Sequence, residues 1–367
     1  MPLQCGIVGL PNAGKSTIFN ALTRSAAAAA ANYPFCTIEP NGGVVPVPDP
    51  RFDFLVATIQ PKNHVPATVE FVDIAGLVKG AAQGEGLGNQ FLEHIRRVHA
   101  ILHVVRCFSD PKVSHVAGKI SPRDDVETIE LELILSDLEQ VQKRLEHLAK
   151  KRKSGDKDAA LNAAVLERIA QTLKAGQPAS QAGISADERQ LLRDLMLLTM
   201  KPVLFIGNID EQFVAEPEKS PYFRELLDLA QARGCEAIPI SGKIEAELSQ
   251  LSPSEEKEFL KELGLAEPGL NRVIRKAYAL LGYITFFTAG ENEVRAWNIL
   301  RGTTAPQAAG AIHSDIERGF IRAEVTPFAA IQEHGSEKKA REAGKMRLEG
   351  KDYVVADGDV IYFRFNI

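Results

Sequence analysis

Apolar residues fall along this chain in two rhythms, and the switches between them divide it. Short, nearly unbroken apolar runs of strand length occupy QCGIVGL (4–10), TVEFVDIAG (68–76), AILHVVRCF (100–108), PVLFIGN (202–208) and EAIPISG (236–242). Between them lie stretches of helical composition: IFNALTR (18–24), GNQFLEHIRRVH (88–99) and the amphipathic YFRELLDLAQARG (222–234). Strands alternating with helices predict an α/β fold, a parallel, doubly wound sheet with ligands at the carboxyl ends of its strands. The SAAAAAA run (25–31) either extends the first helix or frays into the loop after it.

The alternation stops from about 123 to 200. There Ile134, Leu138, Val141, Leu145 and Leu148 follow a 4-3-4-3 step, and Leu166, Ile169 and Leu173 repeat it beyond the polar link KSGDKDA. Two apolar seams joined by a polar link predict a helical hairpin whose arms pack antiparallel. Ser185 with Glu188 three residues on is a capping-box signature before LLRDLMLL. After the helical LNRVIRKAYALLG (270–282) come short β-like pieces, ITFFTAG, VRAWNIL, FIRAEV and YVVADGDVIYFRFNI, with helical text around AAGAIHSDIERG and EKKAREAGKM. This predicts a small α+β unit. The expected division is a discontinuous nucleotide-binding domain (1–122 and 201–283), a helical insertion (123–200) and a C-terminal domain (284–367).

Composition narrows the class without deciding it. Hydrophobic content of 45% with 25% charged residues is that of a globular protein, and no stretch has the ~18 consecutive apolar residues of a membrane span. Cytoplasm is the expected compartment, since the first residues lack the pattern of a signal peptide. Cys5, Cys36, Cys107 and Cys235 are widely spaced, without CxxC or paired His ligands, so neither a zinc site nor a disulfide framework is suggested. The net charge of −5 makes any nucleic-acid-binding face a local matter.

The chemistry begins at GLPNAGKST (9–17), which fits G-x-x-x-x-G-K-[ST] with a strand before it and a helix after it. In such a loop the backbone N–H groups around Asn12, Ala13, Gly14 and Thr17 turn inward on phosphate oxygens, at a helix N-terminus that favours negative charge. Lys15 supplies a cation to the outer phosphates, and the Ser16 hydroxyl is the expected Mg²⁺ ligand. Asp73 and Gly76 match D-x-x-G, with Asp73 holding magnesium through water and the Gly76 N–H meeting a γ-phosphate. Thr37, in NYPFCTIEPN (32–41), can complete the magnesium shell. Loops of this type order and disorder with the γ-phosphate.

Leu77 follows where Ras-like proteins keep a Gln that orients the attacking water, and an apolar side chain cannot do that. Asn12 is a candidate ligand for a potassium ion that would replace the Gln, a turn role being the alternative. His115 is a second candidate for positioning water. A small-molecule kinase using the same phosphate loop fits less well, because D-x-x-G and the Thr37 loop describe a γ-phosphate sensor.

GLPNAGKST, NYPFCTIEPN, VDIAGLVKGAAQGEGLGNQFL, NIDE and GTTAPQAAGAIHSDIERGFIRAEV together closely resemble the Obg-like ATPase family, also called YchF. The resemblance spans essentially the whole chain. It implies a P-loop GTPase-type domain of the translation-factor class, a coiled-coil insertion, a C-terminal TGS domain of β-grasp type, and association with the ribosome and RNA. Local charge agrees: KKRK (150–153) falls at the hairpin tip, and EKKAREAGKMR (337–347) carries five cations.

The residues of the base pocket point to ATP, with GTP weaker or comparable. FIGNIDE (205–211) keeps Asn208 but has Ile209 and Glu211 where Asn-Lys-x-Asp would place its Lys and Asp. An Asp there accepts two guanine N–H groups, contacts of about 1.5–3 kcal/mol, whereas adenine presents a lone pair at N1. Glu211 sets the carboxylate one methylene outward, which lowers discrimination by about ten- to a hundredfold. Ile209 is expected to offer the base an apolar face, Asn208 to be free to reach adenine N6 or N7, and Ser241–Gly242 of SGK to offer a backbone N–H to the ring. A nearly non-catalytic binding module controlled by ATP is the alternative function, and Leu77 is its argument.

Overall fold

The computed structural model describes residues 3–30, 38–39, 42–74, 86–115, 118–152 and 156–366. Among the described residues, eight strands precede residue 241: β1 (Gln4–Val8), β2 (Ile38–Glu39), β3 (Gly42–Pro46), β4 (Asn63–Val65), β5 (Thr68–Asp73), β6 (Ala100–Cys107), β7 (Val203–Ile209) and β8 (Glu236–Ile240). All but β4 form one sheet in the order β2-β3-β5-β1-β6-β7-β8. The run from β5 to β8 is parallel, and β3 pairs antiparallel to β5. The five apolar runs read from the sequence are its five parallel strands.

Alternate residues of each strand point to opposite faces, and each face has its own helices. Ile7, Phe71, Leu102, Val104, Leu204 and Ile206 share one apolar cluster with α1 (Lys15–Ala30) and α10 (Gly269–Leu280), which α2 (Pro50–Ile59) extends toward the C-terminal sheet. Val8 and Ile101 face α3 (Gly86–Arg97) and the base of the long α4 (Pro122–Arg152). The polyalanine run continues α1 as far as Ala30.

Helix α4 and α5 (Lys157–Lys174) form the hairpin, with Ile134, Val141, Leu148, Leu166, Ile169 and Leu173 buried along one seam. Lys150, Lys151 and Arg152 of the KKRK tract are the last residues of α4, and Lys153 lies outside the described residues. The capping box at Ser185 is present, but α6 (Ala186–Leu191) stops early. LLRDLMLL was expected to continue as helix, and instead becomes two 3-10 turns around Met196, whose φ of 46 breaks the spiral. Tertiary contacts outweigh propensity here: Leu192, Leu195 and Leu197 are buried against the hairpin. The fully buried Asp137 of α4 accepts hydrogen bonds from the Leu198 and Thr199 amides and the Thr199 hydroxyl at 2.7–2.9 Å.

Helix α7 (Pro221–Ala232) covers Val105, Cys107, Phe205 and Ile209, and is followed by α8 (Gly242–Leu248), α9 (Pro253–Glu262) and α10 (Gly269–Leu280). The C-terminal unit comprises β9 (Tyr283–Ala289), β10 (Glu293–Leu300), α11 (Ala305–Ile312), α12 (Ser314–Arg318), β11 (Phe320–Pro327), α13 (Phe328–His334), α14 (Glu337–Glu342), β12 (Arg347–Glu349) and β13 (Asp359–Phe365). Its sheet runs β12-β11-β13-β9-β10-β4, so its last strand comes from the N-terminal part of the chain. β4 pairs with β10 from Asn63↔Glu293 to Val65↔Arg295. Arg51 adds a bridge, pairing with Asp49 at 2.7 Å and with Asp357 at 3.1 Å. The two regions also share one apolar cluster, in which Phe52, Leu55 and Tyr278 join Phe287, Val294 and Val360.

Candidate functional site

The phosphate loop joins β1 to α1. Asn12 (φ 63) and Gly14 (φ 96) take left-handed backbone conformations, which wrap the chain around a concavity for an anion. Gly14 is required twice over, because a Cβ there would also lie 2.2 Å from Asn208 Nδ2. Lys15 folds back so that Nζ donates to the Leu10 carbonyl at 2.8 Å. Its burial lowers its pKa, and nearby Asp73 opposes the shift. Ser16 and Thr17 are exposed in the first turn of α1.

Asp73 ends β5, beside Ile7 of β1. Its Oδ1 is buried and meets no hydrogen-bond donor among the described residues. An orphaned carboxylate oxygen on the strand beside β1, near enough to Lys15 for their charges to interact, is a donor that suits a hydrated divalent cation. Burial raises the Asp73 pKa, with Lys15 pulling it down. Thr37, Gly76, Leu77 and Cys36 lie outside the described residues.

Three expectations about the base pocket require correction. Asn208 is not free: Nδ2 donates to the Ala13 carbonyl at 3.0 Å and Oδ1 accepts from the Gly242 amide at 2.9 Å. This buried side chain braces the phosphate loop against the start of α8, since both need a partner and it carries one of each kind. The Gly242 N–H is therefore committed to Asn208 rather than offered to a ring. Ile209 is the last residue of β7 and 3% exposed, packed with Val105, Cys107, Val126 and Phe223, so it presents no open face to a base. Strand alternation and an apolar side chain place it in the core.

Glu211 begins a 3-10 turn after β7, and its Oε1 lies 2.8 Å from Nζ of Lys243 in the first turn of α8. Ser241 is the N-cap residue of α8 and is buried. Below it, Glu245 is buried and accepts hydrogen bonds from the Gly269 and Leu270 amides, which begin α10. Burial pushes its pKa up to about 7 against those hydrogen bonds.

The water-positioning candidates meet in one loop. Asn12 Nδ2 donates to the Ser114 carbonyl at 3.2 Å. The same carbonyl receives Arg106 Nη1 at 3.2 Å, and the buried Arg106 also donates to the carbonyls of Phe108 and Asp110. His115 Nε2 lies 3.1 Å from Asp125 Oδ2 in the first turn of α4, with both side chains almost buried. That nitrogen is committed to Asp125. Arg106, Ser114 and Lys243 were not singled out from sequence. Arg106 left a signal, a charge in the apolar strand AILHVVRCF, and Lys243 stood in plain view in SGK.

A G-x-x-x-x-G-K-[ST] loop between β1 and α1, a buried carboxylate oxygen at the end of β5 and a parallel sheet with loops after β7 and β8 define a P-loop protein of the GTPase type. A family model described as 50S ribosome-binding GTPase matches residues 4–154, and that of the YchF GTPase C-terminal domain, described as a protein of unknown function, matches 283–366. The chain is 52% identical over 367 residues to the ribosome-binding ATPase YchF of Haemophilus ducreyi and 51% identical to that of Bacillus subtilis, covering 100% of each. The solved YchF GTPase of Schizosaccharomyces pombe superimposes with a TM-score of 0.89 at 39% identity, covering 99% of this chain and 97% of that one. The chain belongs to the YchF family.

Proposed function

We propose that this protein hydrolyses ATP to ADP and phosphate and binds the ribosome in a nucleotide-dependent way. The carrying observation is an assembled phosphate loop beside the orphaned Asp73 oxygen, in a chain matched from end to end by relatives named ribosome-binding ATPases. The backbone of residues 12–17 and Lys15 grip the β- and γ-phosphates, and the Gly76 N–H meets the γ-phosphate. Ser16, Asp73 and Thr37 would hold Mg²⁺, which when bound neutralises charge developing on the transferred phosphoryl group.

Asn208 shapes the pocket by holding Ala13 and Gly242 in place. Glu211 lies at the base edge, and GTP binds comparably to ATP or more weakly. Water is positioned by His115 after release from Asp125, or by a potassium ion at the Asn12 amide oxygen. Slow turnover is expected because Leu77 cannot orient the attacking water. The division into nucleotide-binding domain, hairpin and TGS domain, RNA contact through the hairpin tip, and a cytoplasmic location belong to the same reading. Among the described residues no helix is long and apolar enough to cross a membrane.

The His115–Asp125 pair also favours a second reading, an ATP-controlled binding module with negligible turnover. Co-sedimentation with ribosomes under ATP, GTP, their non-hydrolysable analogues and no nucleotide, with phosphate release followed in parallel, separates them. Nucleotide-dependent pelleting with phosphate release is expected. Pelleting without release favours the module, and no pelleting under any condition removes the ribosome from the account.

A further inference from the structure

We infer that Lys243 tunes base specificity: by pairing with Glu211 it takes away the free carboxylate that would select guanine, and so shifts the pocket toward adenine. The inference deepens the proposed function and rests on its reading of ATP as the nucleotide bound. Its ground is a juxtaposition. Glu211 follows β7, Lys243 follows β8, and these strands are parallel neighbours whose carboxyl ends carry the base-side loops.

Asn208 fixes the separation of the two loops. Its Oδ1 accepts the amide of Gly242, the residue immediately before Lys243, at 2.9 Å, while Nδ2 reaches the phosphate loop at 3.0 Å. The ammonium therefore arrives beside Glu211 on a frame anchored to the nucleotide site, and the 2.8 Å pair is the one ion pair Glu211 makes among the described residues. The neighbouring acid does not compete for that place, since both Asp210 carboxylate oxygens face the Ser109 amide at 3.3 Å. Nor does the neighbouring cation: Arg106 spends its donors on three carbonyls.

The chemical consequence follows from what each purine presents. Guanine offers two N–H donors side by side and needs both oxygens of an unshared carboxylate. Adenine offers a lone pair at N1, which a bare carboxylate repels and a neutralised pair tolerates. A carboxylate with an ammonium on one oxygen has lost half of the fork and most of the repulsion. Both side chains are well exposed, 66% for Lys243 and 49% for Glu211, so the effect sits in the range of an exposed ion pair. That range corresponds to about a two- to fivefold change in the ratio of affinities.

The test measures equilibrium affinity of the full chain for ATP and for GTP, with magnesium present, in wild type, Lys243→Met, Lys243→Arg, Glu211→Gln and the Lys243→Met/Glu211→Gln double variant. Lys243→Met keeps the stem and removes the charge. It is expected to shift the ratio toward GTP by about two- to fivefold, Lys243→Arg to keep the wild-type ratio, and the Glu211→Gln background to abolish the shift. An unmoved ratio, an equal change for both nucleotides, or the same shift without the Glu211 charge would overturn the inference. The wild-type ratio reports separately on the ATP reading, so failure of one is distinguishable from failure of the other.

Discussion

Glu245 is a carboxyl group held where a charge is costly. It lies one helical turn inside the base-side loop, buried, and holds the first amides of α10. Its pKa rises from 4.5 to about 7 because desolvation outweighs those two hydrogen bonds. The folded protein thus retains a proton that the unfolded chain has already released. Its contribution to stability is fully present below pH 4.5 and is lost as pH climbs through about 7. Glu245→Gln removes this dependence, so the stability of the variant relative to wild type should grow by up to about 3 kcal/mol between those limits. Denaturant titrations at intervals across that window check it, and parallel pH profiles for the two proteins would refute it. The placement of Lys15 and Ser16 at the start of α1 and of Asp73 at the end of β5 was legible in sequence, because the strand, loop and helix around them are local patterns. Asn208 was misjudged for the opposite reason: its partners, Ala13 and Gly242, are distant in sequence, and only the fold shows that both its polar atoms are taken.

At the scale of elements the hairpin depends on its root. Arg96 of α3 bonds to Ser136 and Gln140 of α4, and Lys201 donates to the carbonyls of Arg96 and Val98. At the centre Asp137 takes three hydrogen bonds from residues 198 and 199, closing the return of the chain into β7. Asp137→Ala leaves two amides and a hydroxyl buried without their acceptor, and is expected to destabilise the protein by roughly 3 kcal/mol. Chemical denaturation measures this directly; a loss below about 0.5 kcal/mol would mean that the root is held by apolar packing alone. The seams of α4 and α5 were readable from their 4-3 steps because a repeating period survives any change of partner. The two 3-10 turns after α6 were not, since they arise from burial of Leu192, Leu195 and Leu197 against the hairpin and from Asp137, all tertiary effects.

Over the whole molecule the striped pattern of strands and helices foretold the five parallel strands of the seven-stranded sheet, but neither its β2–β3 edge nor the way its neighbour is attached. A three-residue strand, β4, carries no periodicity to read, yet it joins the N-terminal chain to the C-terminal sheet. With Arg51 bridging Asp49 and Asp357 and an apolar cluster running through both regions, the nucleotide-binding and C-terminal parts have little reason to melt separately. Calorimetry is expected to show one shared transition for them, and two well-resolved transitions would contradict that. The root of the hairpin is tied to the loop at Ser114 through Asp125 and His115, and that loop to the G-x-x-x-x-G-K-[ST] loop through Asn12.

The central claim is that this phosphate site serves a base pocket released from its demand for guanine. Displacement of a fluorescent ATP analogue from the wild-type protein by unlabelled ATP and GTP, with magnesium present, tests it most directly. ATP is expected to displace the probe at least as well as GTP does. A GTP preference of about tenfold or more, equivalent to ~1.4 kcal/mol, would contradict it.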